Sequence, residues 1–198
     1  MEFTARQQRL VPWQSSIDRV KREEAVRGQQ SEGQRESLDR FIQAQARSRG
    51  VAYDQALAEL QAGHKVTHWI WYVLPQLRAL GRSAMAREFG IADAEEAAAY
   101  AAHPVLGPRL VDCMRAILLH EAKGPQAVLG AVDALKLRSC LTLFERAAPQ
   151  QSVFALALQR LYGGVRDEAT LALLDQHHRQ PLHQGVVGCP THTVSMGG

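Results

Sequence analysis

Residues 64–83 hold two of the chain's three tryptophans and two of its eight histidines. His64, Lys65, His68, Trp69, Trp71, Tyr72 and Gln76 crowd into that stretch. Rings with polar handles of this kind stack on planar groups such as a nucleobase or nicotinamide. If the segment is helical, His68 stands one turn from both His64 and Tyr72. If it is extended, Trp69 and Trp71 share one face while His68 and Tyr72 share the other. Large aromatics usually serve the core, and Trp71 is assigned there. Trp69 is expected to stack on a ligand, Tyr72 and Gln76 to line its pocket, and His68 to act as acid or base.

A second group is Asp133, Lys136, Arg138, Ser139 and Thr142, polar side chains at the start of an otherwise apolar helix. Helix starts attract anions through unpaired N–H groups and the dipole. Lys136 and Ser139 share a face at i, i+3 spacing, and Arg138 does not. Arg78 and Arg82 are further phosphate candidates, of which Arg82 is taken as the binding one. Asp133 is the second acid/base candidate. The plainer reading of this group is capping and solvated charge, and His103-Pro104 with Gly107 reads as a turn fixture. No local carboxylate pair for glycoside chemistry, Ser-His-Asp order, Gly-rich phosphate loop or H-E-x-x-H motif is present.

These residues need helices to position them. Ser37 is a good N-cap before Leu38, Phe41 and Ile42, which fall on one helical face. Tyr53, Ala56, Leu57 and Leu60 mark the next helix, with Gly63 beyond its end. The apolar run 68–74 suits either a short strand or a buried turn, and Pro75 breaks it. Ser83 caps a short helix to Phe89, and Asp93 with Glu96 has capping-box form before 94–102. Leu106, Leu110, Met114, Ile117 and Leu118 define a longer helix after His103-Pro104. Leu137, Cys140, Leu141 and Phe144 define one from about Leu135, and Val153 to Leu161 another. Asp167 caps the last, ahead of Thr170, Leu171 and Leu174. The spacing predicts a mainly α, single multihelical globular domain of about eight short helices, with at most one short strand near 68–74.

Composition sets the limits. The domain spans 38–175; residues 1–37 are expected to be a disordered or loosely helical extension, and 176–198 a disordered His-rich tail. That tail, with Cys189, lacks structural zinc spacing, so no metal and no cofactor is expected. The net charge of +3 is spread evenly, without the basic stripe of a nucleic-acid binder. The odd cysteine count of 3, without C-x-x-C spacing, argues against a disulfide framework. No membrane span and no leader are legible, and a cytoplasmic protein is expected.

Several of these residues also form a pattern. Arg40-Phe41, Ala44-Gln45, His68-Trp69-Ile70-Trp71-Tyr72, Pro75-Gln76-Leu77 and Gly81-Arg82-Ser83 lead into His103-Pro104-Val105-Leu106-Gly107. Lys136-Leu137-Arg138-Ser139, Thr142-Leu143-Phe144, Asp167 and Thr170-Leu171 follow. From about Leu38 to Leu174 the chain resembles the bacterial domain-of-unknown-function family 1810, also labelled calpastatin-like. Phe89 stands where the family pattern has tyrosine, and Cys140-Leu141 where it has Ser-Met. The resemblance implies a mainly helical single domain and no particular reaction. In layout, the early Phe…Ala-Gln segment is similar to helical proteins that handle NAD and ADP-ribose derivatives. The expectation is therefore a domain that binds a phosphate-bearing aromatic metabolite, a nucleotide or ADP-ribose derivative, and hydrolyses its glycosidic bond. The rival is a non-catalytic protein-interaction domain with an aromatic groove; the oligomeric state is left open.

Overall fold

The computed structural model describes residues 37–46 and 52–178, so the expectations for 1–36 and 179–198 lie outside the described residues. Ten α-helices follow one another there: α1 (37–45), α2 (Tyr53–Gln61), α3 (Ile70–Val73), α4 (Ala84–Phe89), α5 (Ala94–Ala102), α6 (Leu106–Leu118), α7 (Pro125–Leu129), α8 (Ala131–Ala147), α9 (Val153–Tyr162) and α10 (Glu168–His178). Short 3-10 turns at Arg78–Leu80 and Glu121–Lys123 complete the set. Among the described residues there is no strand, and the ambiguous run near 68–74 is the single helical turn α3. Among the described residues extended pairing is limited to one parallel bridge between Leu77 and Ile91, which ties together the chain on either side of α4.

The capping signals of Ser83, Asp93 and Asp167 act as expected, whereas Ser37, read as an N-cap, is the first residue of α1 and its hydroxyl bonds Glu96. Ser83 Oγ accepts the Ala86 N–H, and Asp93 Oδ1 accepts the Glu96 N–H. Glu96 closes its box one residue early, on the Ala92 N–H. Asp167 Oδ2 takes the Thr170 N–H at the start of α10. One boundary differs from the pattern: α8 begins at Ala131, ahead of the first apolar repeat at about Leu135. Gly130, at φ +83°, reverses the chain directly from α7 into α8, a conformation that costs a residue without Cβ little.

Helix α8 is the hub, packed against α5, α7, α9 and α10, while α6 bridges α2, α5 and α9. Through the centre runs a series of rings from α1 to α9. Phe41 meets Tyr100 edge-on at 5.0 Å, Tyr100 meets Phe144 at 5.4 Å, and Phe144 meets Phe154 at 5.6 Å. Such geometry favours rings beyond their area burial. Among the described residues, no helix is long and apolar enough to cross a membrane.

Candidate functional site

The turn α3 sorts the aromatic stretch into two environments. Helical residues advance about 100° each, so Trp69, Ile70, Tyr72 and Val73 face inward and Trp71 projects away from them. Trp69 is 0% exposed and Tyr72 is 4% exposed. Trp71 is only partly buried. This exchanges the expected parts: Trp69 and Tyr72 belong to the core and present no face to a ligand, while Trp71 lines a groove. The buried Trp69 indole donates to Glu59 Oε2 at 2.8 Å. Glu59 also accepts the Val66 and Thr67 N–H groups and the Thr67 hydroxyl. Burial opposes its charge, but these donors from Thr67, Val66 and Trp69 outweigh it and bring the carboxyl down to about 2.

An open groove of about 470 Å³ runs between the α3–α4 segment and α8, closed at one end by the start of α10. It falls within the size of small-molecule clefts, roughly 300–1,000 Å³. Trp71, Gln76, Leu80 and Arg82 line one wall, Leu135, Lys136 and Ser139 the other, with Asp167 at the α10 end. Four of the expected site residues therefore meet: Gln76, Arg82, Lys136 and Ser139. Lys136 and Ser139 share the wall, as their spacing requires. Arg138 points elsewhere and makes a long 3.8 Å ion pair with Asp167. The exposed His68 is not among the lining residues, and its carbonyl accepts the Tyr72 hydroxyl. Histidine acid/base chemistry at this groove is thereby set aside on position alone.

Asp133 sits behind the wall rather than on it. Its Oδ1 binds Lys136 Nζ and its Oδ2 binds Lys65 Nζ, both at 2.8 Å. Burial opposes ionisation, but the hydrogen bonds from Lys136 and Lys65 outweigh it and hold the carboxyl below the usual range. An acid so deprotonated has no proton to give near neutrality; its evident effect is to hold Lys136. From there the Lys136 ammonium lies 4.6 Å from the centre of the Trp71 ring, a cation–π contact that sets both groups at the groove. Lys65 does the same 5.3 Å from the Trp69 ring, deeper in.

Several polar groups here are uncommitted. The Trp71 indole N–H and the Gln76 amide have no hydrogen-bond partner among the described residues, and the Arg82 guanidinium has no partner of either kind there. Ser139 spends its proton on the Leu135 carbonyl, keeping acceptor capacity. The sequence names Lys65 in the aromatic stretch and Asp167 as a cap but not their partners, because the Lys65–Asp133 pair and the place of Asp167 on the groove both span the fold.

Among solved structures, the chain is similar to a conserved hypothetical protein, Rv1873, from Mycobacterium tuberculosis. The two are 43% identical with a TM-score of 0.66, over 70% of this chain and 96% of that one. No curated protein matches. A family model described as a protein of unknown function (DUF1810) matches residues 35–174, which is most of the chain and all ten helices apart from the end of α10. The chain belongs to that family.

Proposed function

We propose that the groove between α3–α4 and α8 binds a phosphate-bearing aromatic metabolite of the nucleotide or ADP-ribose type. The observation that carries this reading is the meeting of Trp71, Gln76, Arg82 and Lys136 in one open groove, with donors left unspent. Trp71 supplies a ring edge and an indole N–H, Gln76 an amide that can pair with a base or carboxamide edge, and Arg82 and Lys136 positive charge for phosphate. With Arg82 and Lys136 set against Asp167 along the lining, the groove is biased toward anions. Hydrolysis of the ligand's glycosidic bond finds less support, since Asp133 is committed to two lysines and His68 lies off the groove. Binding is the function retained.

A second reading, a protein-interaction groove without catalysis, draws on Val132 and Leu135. These apolar residues are 67% and 55% exposed on the α8 wall. Thermal-shift and titration measurements with AMP, NAD and ADP-ribose separate the two. The ligand reading expects a stabilising shift that Trp71→Ala weakens and Lys136→Ala weakens more for phosphorylated compounds than for adenosine. Absence of a shift with every compound would remove it in favour of the interaction reading.

A further inference from the structure

The groove is lined by the cations Arg82 and Lys136 and by the carboxylate of Asp167, and this deepens the nucleotide reading on which the following inference rests. We infer that Asp167 accepts the ribose hydroxyls of a nucleoside 5′-monophosphate unit whose phosphate lies at Lys136. The two groups are positioned along one helix. Lys136 sits in the second turn of α8, and Thr142 stands six residues on, about 9 Å along the axis. Thr142 Oγ1 accepts the Asp167 N–H at 2.9 Å, which fixes the start of α10 at that level. The cation and the carboxylate therefore line one groove at different levels of α8, with Ser139 between those levels on the same wall.

The hydrogen bonding of Asp167 leaves room for a ligand. Its Oδ2 takes both the N–H and the hydroxyl of Thr170, at 2.9 and 2.6 Å. Among the described residues its Oδ1 has only the 3.8 Å approach of Arg138, too long for a hydrogen bond. The Arg138 Nε is itself buried without a partner among the described residues, so the pair is loosely made. A carboxylate oxygen without a hydrogen-bond partner among the described residues, on a side chain that lines the groove, is an acceptor for O–H or N–H donors. It repels a second phosphate at that end. Vicinal ribose hydroxyls meet the first requirement, and a single phosphate at Lys136 avoids the second. Carboxylate-to-ribose pairing is an established way to select that sugar.

Calorimetric titration of the full chain tests this with AMP, GMP, CMP and UMP, then with the 2′,3′-dideoxy form and the unphosphorylated nucleoside of the tightest binder. The wild-type chain is expected to prefer the ribonucleotide over its dideoxy form by about tenfold, the worth of one charged hydrogen bond. Asp167→Asn keeps a good helix cap and should lose that preference while keeping the preference for phosphate. Lys136→Ala should do the reverse. Equal binding of the ribo and dideoxy forms by the wild-type chain would overturn the inference while leaving the nucleotide reading standing. Failure of all four nucleotides to bind would overturn both.

Discussion

Glu59 is a charged group inside the core that is held by donors rather than by a cation. Five hydrogen bonds reach it, from Gln55, Val66, Thr67 and Trp69, and through those from Val66, Thr67 and Trp69 α2 anchors the loop that leads into α3. Replacing it by Gln keeps the shape but turns an NH2 group toward N–H donors. We expect Glu59→Gln to cost about 3 kcal/mol, as leaving several buried donors unmet does. The pH dependence has a defined sign. A carboxyl lowered from 4.5 to about 2 on folding contributes stability that is complete above about 4.5 and lost as pH falls toward 2. Urea denaturation should therefore show the gap between wild type and Glu59→Gln closing over that range; a gap independent of pH would exclude the ionised carboxylate as its source. At this scale the sequence was least legible. Trp69 and Trp71 are equivalent in composition and lie two residues apart, and only the course of one helical turn decides which of them Glu59 receives.

Helical elements were far easier to read. Apolar repeats at three and four residues, with Ser83, Asp93 and Asp167 as caps, place α4, α5 and α10 from local rules alone, because those rules act within one turn. Short elements are different: four-residue α3 and five-residue α7 contain too few repeats to show a period, and the Leu77 to Ile91 bridge depends on chain remote in sequence. Close approach of elements is also hidden. Gly107, in the first turn of α6, lets that helix meet the end of α5 so tightly that a Cβ there would lie 2.2 Å from the Ala101 carbonyl oxygen. A backbone oxygen cannot swing aside as a side chain does. Gly107→Ala should thus force α5 and α6 apart at a cost of about 3 kcal/mol, despite alanine's better helix propensity. A melting temperature equal to or above that of wild type would show that the two helices separate freely.

At the scale of the whole molecule, one core explains both stability and site. Its buried apolar residues run from Leu38 to Leu174, and α8, which carries the cationic wall of the groove, is also the helix on which four others pack. Fold and groove are thus coupled: the wall that would hold a ligand is the most firmly supported element. This level was partly legible, since helix count and core followed from pattern, whereas the groove required α3, α8 and α10 to meet across some hundred residues. The mycobacterial neighbour, matched over 96% of its own length, carries the fold with little chain beyond the shared region. Trimming this chain to residues 35–178, a span that keeps every core residue and all ten helices among the described residues, should leave its melting temperature within about 2 °C, the shift expected of less than about 1 kcal/mol in a domain of this size. The trimmed chain should also keep whatever nucleotide affinity the full chain has, because every lining residue of the groove is retained. Scanning calorimetry of the two forms side by side decides the matter. A drop of more than about 5 °C, near 2 kcal/mol at this length, would mean that segments outside 35–178 pack on the domain and belong to its folding unit.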